Sequence, residues 1–234
     1  MKIPLHVHAA LEVRIPCGDT RLYGDLTVPD SAIGLVLFVH GSGSGRHSAR
    51  NRLVAEQLQQ VGIATLLFDV LTAQEEQIDV HTRQHRFDIA LLTGRLQDAT
   101  LWATAQPELA QLPLGYFGAS TGSAAAIIAA ARLGRQVAAV VLLDGRPDLA
   151  GPVALAAVTA PALLIADSAD QGVMQFNEDS LTHLRGEKRM AIVEGSTHLF
   201  EEKGTLEAVA KLAVEWFATH LGAPEARHAP AVKA

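Results

Sequence analysis

The sequence predicts an α/β fold: a mostly parallel, twisted sheet of eight strands flanked by helices on both faces. Three observations carry this. Six short apolar runs recur along the chain, separated by segments of helical periodicity, as in strands buried on both faces and joined by helical crossovers. Two N-terminal segments instead alternate apolar and polar residues around Cys17-Gly18-Asp19, the signature of a hairpin at a sheet edge. Finally, a Gly-x-Ser-x-Gly pentapeptide, Gly118-Ala119-Ser120-Thr121-Gly122, stands between an apolar run and an alanine-rich stretch. That is the setting of a sharp strand-to-helix turn.

In chain order, residues 5–15 and 21–28 are the expected hairpin. The buried strands follow at 35–39, 63–68, 114–117, 137–143, 162–166 and 189–193. A helix over 52–61 is read from Leu53, Val54, Leu58 and Val61, with Gly62 as its stop. Residues 87–105 carry Ile89, Leu91, Leu92, Leu96 and Leu101 at mostly helical spacing, and 123–131 is a run of good helix formers. The last helix, 206–221, places Leu206, Val209, Leu212, Ala213, Trp216 and Phe217 on one face. The segment 71–86 reads as the one sizeable loop near the presumed site, and 144–161 is too short for a cap domain. The expectation is a single domain over 1–221 with a frayed tail at 222–234, and an open, shallow pocket bordered by 71–86.

Composition narrows the function. At 234 residues the chain suits one large α/β domain, and 49% hydrophobic with 19% charged residues fits a compact globule. A net charge of −6 without a basic stripe argues against a nucleic-acid partner. Cys17 is the single cysteine, so no intrachain disulfide forms. No apolar run approaches a membrane span, and the start of the chain is interrupted too early for a signal-peptide core. The expectation is a soluble cytoplasmic protein with no membrane partner; the oligomeric state is not legible.

The chemistry centres on Ser120. A serine on a tight strand–helix turn exposes its hydroxyl at the end of a sheet, and the helix behind it offers amide protons to a developing anion. Serine needs a base, and His198, in Gly195-Ser196-Thr197-His198-Leu199-Phe200, follows one strand and precedes the last helix. Acidic candidates follow two other strands: Asp144 after 137–143, and Asp167 and Asp170 after 162–166. The Gly/Ser run His40-Gly41-Ser42-Gly43-Ser44-Gly45-Arg46 fits neither nucleotide motif, because Arg46 stands where a dinucleotide fingerprint needs glycine and no Gly-Lys-Ser/Thr is present. Two histidine pairs, His6/His8 and His81/His85, lack a zincin glutamate and an evident third ligand, so no metal is expected.

Through its HGSGSGR loop, GYFGAST, GRPDLAG, ALLIADSAD and GSTHLFEE, the chain resembles the dienelactone hydrolase-like group of the α/β-hydrolase superfamily, from about residue 26 to 221. The resemblance implies an α/β-hydrolase fold without a cap domain. It also implies a Ser-His-Asp acyl-enzyme mechanism on small or short-chain carboxylic esters or lactones, and no cofactor. Ser120 is then the nucleophile and His198 the base. Asp170 holds the family's acid position, with Asp144 the main alternative and Asp167 a closer but shorter-reaching one. Amides of Ser42 and Thr121 form the oxyanion hole, and His40 shapes the loop that carries it. The family's acidic substrates raise Arg46, Arg83 and Arg146 as substrate contacts, against the plainer reading of salt bridges or a loop-fixing contact to Asp148. The chain departs from the namesake enzymes, which use a cysteine nucleophile; Cys17 lies far from every motif and reads as a packing residue. Two other functions remain open: an acyltransferase using the same acyl-enzyme, and a non-catalytic binding module on the same fold.

Overall fold

A computed structural model describes residues 9–41 and 44–222. His6, His8, Ser42 and the tail beyond Gly222 lie outside the described residues. The sheet has eight strands: β1 Leu11–Cys17, β2 Thr20–Thr27, β3 Gly34–Val39, β4 Ile63–Phe68, β5 Leu114–Ala119, β6 Val137–Leu143, β7 Ala162–Asp167 and β8 Lys188–Val193. Their spatial order is β1-β2-β4-β3-β5-β6-β7-β8, giving an open sheet. The β1–β2 and β2–β4 pairs are antiparallel and every other pair is parallel.

Seven α-helices connect them: α1 Ala49–Gln60, α2 Ala73–Thr82, α3 Ile89–Thr104, α4 Gly122–Leu133, α5 Gly151–Ala157, α6 Gln171–His183 and α7 Thr205–Leu221. The two-residue period of each strand sorts its side chains into two cores. Leu35, Leu37 and Val39 of β3 join Val140 and Leu142 of β6 and Leu164 of β7 against α3, α4 and α5. Their neighbours Val36, Phe38, Val141 and Ile165 face α1 and α7. Continuous burial along β3 to β7 is therefore the cause of the unbroken apolar runs, whereas β1 and β2 alternate because one of their faces meets water.

One expectation about the connections is corrected. Residues 71–86 are not a loop: α2 occupies most of them, started by a capping box in which Thr72 Oγ1 accepts from the Glu75 amide and Glu75 accepts from the Thr72 amide. The segment lacks helical apolar periodicity because the side that α2 buries holds a carboxylate, Asp79.

Strand order fixes where a ligand goes. From β3 the chain moves outward to β4, then returns across β3 to β5 and onward to β8. The carboxyl ends of β3 and β5 thus feed connections to opposite sides, and in open α/β sheets ligands bind at that switch point. His40-Gly41 and Ser120 sit there.

Candidate active site

Ser120 follows β5 directly and adopts φ +52°, in the left-handed region that a non-glycine residue enters only when its surroundings force it. Two contacts hold it: its amide donates to the Leu143 carbonyl (3.2 Å), and its carbonyl accepts from the Arg146 amide (3.1 Å). The motif's second glycine is required by space. A Cβ on Gly122 would lie 2.2 Å from the Val39 carbonyl oxygen, so only glycine lets α4 start this close to β3. Gly41 approaches from the other side, where an added Cβ would meet Ser120 Cβ at 2.5 Å.

His198 lies on the loop between β8 and α7. Thr197 donates to Glu202 from its hydroxyl (2.7 Å) and its amide (3.2 Å), the Ser196 hydroxyl donates to the Val193 carbonyl (2.6 Å), and Arg50 of α1 donates to the His198 carbonyl (3.2 Å). The imidazole Nδ1 donates to a carboxylate oxygen of Asp144. That leaves Nε2 as the basic nitrogen, and His198 and Ser120 line one cleft. The hydrogen bond to Asp144 holds the imidazole above its usual range, against the opposing effect of its own partial burial. Burial pushes the Asp144 carboxyl up, and the nearby Asp167 adds to this.

Of the expected acids, the structure brings Asp144 rather than Asp170 to His198. Asp170 does not meet His198; it is exposed, caps α6 by accepting from the Val173 amide (3.0 Å), and donates its own amide to Asp167 Oδ1 (2.7 Å). As the first residue past β7 to face a helix end, its carboxylate is taken up by that end. Asp144, at φ +43° after β6, is 2% exposed and points to the histidine.

Thr121 is the N-cap residue of α4, so its amide sits at the helix end beside Ser120. His40 is buried and neutral-favouring, because burial disfavours its charged form. Its Nε2 accepts from the Val70 amide (3.2 Å), so its Nδ1 carries the proton and donates to the Gly41 carbonyl (2.8 Å). His40 thereby ties the start of the Gly/Ser loop to the end of β4.

None of the three expected arginines faces the Ser120 cleft. Arg46 is held by Asp25 (2.7 Å), Glu12 (3.0 Å) and Asp69 (3.2 Å) and lies over the Tyr23 ring. Arg83 is exposed at the left-handed C-cap of α2. Arg146 makes the loop-fixing contact, donating to both Asp148 oxygens (2.8 and 2.7 Å) and stacking on Phe176. The arginine in the cleft is Arg50, which sequence reasoning missed; its only signal was its place in the first turn of the helix after the Gly/Ser loop. The cleft, about 740 Å³ and open to solvent, is bordered by residues 44–53 and 198–207 rather than by 71–86, where α2 begins beside a second cavity. Cys17 is buried in the α3-side core, and burial pushes its thiol up to about 11.

No family model matches the chain. A dienelactone hydrolase of Anabaena variabilis of known structure is 53% identical, superimposes with a TM-score of 0.87, and the match covers 91% of this chain and 99% of that one. The chain belongs to the dienelactone hydrolase-like family of α/β-hydrolases. The fold extends further: Est1E of Butyrivibrio proteoclasticus superimposes at TM-score 0.76 with 15% identity, over 92% of this chain and 99% of Est1E. Two Mycobacterium tuberculosis proteins that carry a provisional phosphoribosyl transferase name are each 52% identical over 213 residues, 91% of this chain. The chain spans about half the length of these curated relatives, 47% in each case.

Proposed function

We propose that this hydrolase cleaves small carboxylic esters or lactones through an acyl-enzyme on Ser120, with His198 as base and Asp144 as the acid that orients it. The observation that carries the reading is the His198 Nδ1–Asp144 hydrogen bond at the edge of the cleft that Ser120 lines. His198 Nε2 takes the Ser120 hydroxyl proton as Oγ attacks the carbonyl carbon, and Asp144 steadies the imidazolium that forms. The Thr121 amide, with an amide of the Gly/Ser loop that we assign to Ser42, receives the negative charge of the tetrahedral intermediate. His198 then returns the proton to the leaving alkoxide and activates a water for deacylation. The opening of the cleft to solvent supports hydrolysis over acyl transfer, since water reaches the acyl-enzyme. The transferase name of the curated relatives belongs to proteins about twice as long.

The test is covalent labelling combined with turnover. A fluorophosphonate is expected to label Ser120, and Ser120→Ala is expected to lose the label and to lower p-nitrophenyl acetate hydrolysis by about 10⁴-fold or more while keeping the fold. Retention of a tenth of the wild-type kcat by Ser120→Ala rules out the nucleophile assignment.

A further inference from the structure

His198 meets more than one carboxylate. Strands β5, β6, β7 and β8 lie side by side in that order, and Ser120, Asp144 and Asp167 stand at or just beyond the ends of the first three. To reach Asp144 from the β8 side, the histidine must cross the end of β7. Asp167 is there, 1% exposed. One carboxylate oxygen of Asp144, one of Asp167 and one ring nitrogen of His198 all lie within 4.8 Å of one another. Asp167 Oδ1 accepts from the Ala169 and Asp170 amides, each at 2.7 Å, which fixes the side chain. Among the described residues its Oδ2 is buried with no hydrogen-bond partner. A buried acceptor with nothing to accept from is costly, so a structural role in the turn accounts for one oxygen and leaves the other unexplained.

We infer that Asp167 is a positioning residue for the histidine: its carboxylate stands beside Asp144 as a second buried acidic group and, after Asp144, adds to the pH at which the site becomes active. The inference rests on the hydrolase reading above. Before it can accept the Ser120 proton, His198 must be neutral. A negative charge within 4.8 Å of the ring favours the imidazolium in the resting enzyme and in the transition state alike. The histidine becomes a stronger base, and the acid limb of the activity profile moves to higher pH. Both aspartates act in this direction, and the Arg50 guanidinium acts against them. On its own loop, Glu202 is turned to Thr197, while His47, Glu201, Lys203 and Glu207 line the same cleft.

The experiment compares kcat/KM against pH for wild type and Asp167→Asn. The amide keeps an oxygen to accept from Ala169 and Asp170 but removes the charge. The acid limb is expected to fall by about half a unit to two and a half units, the span given by an effective dielectric between that of water and that of a protein surface. KM is expected to hold, and kcat on the plateau to change by less than about tenfold, since the triad itself is intact. A limb that stays in place or moves up, with or without a lower plateau, overturns the proposal and leaves Asp167 a structural turn residue. Should Asp167→Asn fail to fold, the His198 ring is titrated by NMR in Ser120→Ala and in Ser120→Ala/Asp167→Ser, its resonance assigned by its loss in Ser120→Ala/His198→Ala. The histidine is expected to titrate lower once Asp167 is replaced, with Asp144 still in place; an unmoved or higher titration overturns the proposal. Because that measurement needs no turnover, it judges Asp167 even if Ser120→Ala still hydrolyses esters and the hydrolase reading fails.

Discussion

At the scale of single residues, the choice among aspartates has the sharpest consequence. Asp144→Asn keeps a side chain against His198 Nδ1 but stabilises the wrong tautomer, so kcat for p-nitrophenyl acetate is expected to fall by about 10⁴-fold. Asp170→Asn is expected to leave kcat within a few-fold of wild type and to cost less than about 1 kcal/mol, because asparagine also caps helices. The reverse pattern would restore Asp170 as the acid. The places of Ser120 and His198 at one cleft were legible because each signal is local: a motif that forces a turn, and a loop between a strand and the last helix. The aspartate that meets the histidine was not. Three aspartates follow two strands within the segments 144–170, and which of them faces the histidine depends on how the β8 loop crosses the sheet and on a helix end that captures Asp170. Arg46, likewise, sits in a telling sequence but is taken up by three carboxylates whose strands come from elsewhere in the chain.

At the scale of elements, the six later strands were read to within two residues at every end; in β3 to β7 continuous burial writes itself into composition, whereas β8 is apolar in sequence but mostly exposed. α2 went unread for the opposite reason: Ile78 and Val80 face solvent, and its buried side chain is Asp79. That carboxylate accepts from the His85 amide (2.8 Å), the Arg86 amide (3.0 Å) and Arg86 Nε (2.6 Å). Burial alone would raise it, but these donors together hold it below the usual carboxylate range. A depressed folded-state value means stability that is present above the unfolded-state value and lost as the pH falls through the folded one. Asp79→Ala is therefore expected to cost about 2–4 kcal/mol near neutrality by leaving buried donors unpaired. By differential scanning calorimetry this would appear as a Tm lower by roughly 5–10 °C, and the gap to wild type should narrow below about pH 4. A Tm gap that is the same at neutral and acid pH would show that the Asp79 charge is not what the donors hold.

At the scale of the whole molecule, the sheet presents its site on an open surface. Leu53, Leu199 and Leu206 offer limited apolar cover within the cleft, and Leu199 is itself 52% exposed. A long acyl chain would leave most of its length in water, forgoing about 25 cal/mol for each Å² not buried. The kcat/KM for p-nitrophenyl esters is expected to peak between acetate and butyrate. Activity that rises toward laurate or jumps at an interface would mean that the cleft rearranges into a deeper channel. The expectation of an open site without a cap was drawn from the short 144–161 connection. The border of the cleft was not legible, because it depends on α1 and α7 converging from segments about 150 residues apart in sequence.

Among the described residues β8 is the last strand of the sheet, pairs only with β7, and has Lys188, Arg189 and Ile192 exposed. An edge with so little buried surface opens at a lower free energy than the interior strands, and such local opening leaves the rest of the sheet standing. The loop carrying His198 hangs from that edge. On the proposed mechanism, activity is therefore expected to vanish in mild urea while circular dichroism still reports most of the helix and sheet. Coincident loss of activity and ellipticity would instead mean that the edge strand unfolds only with the whole.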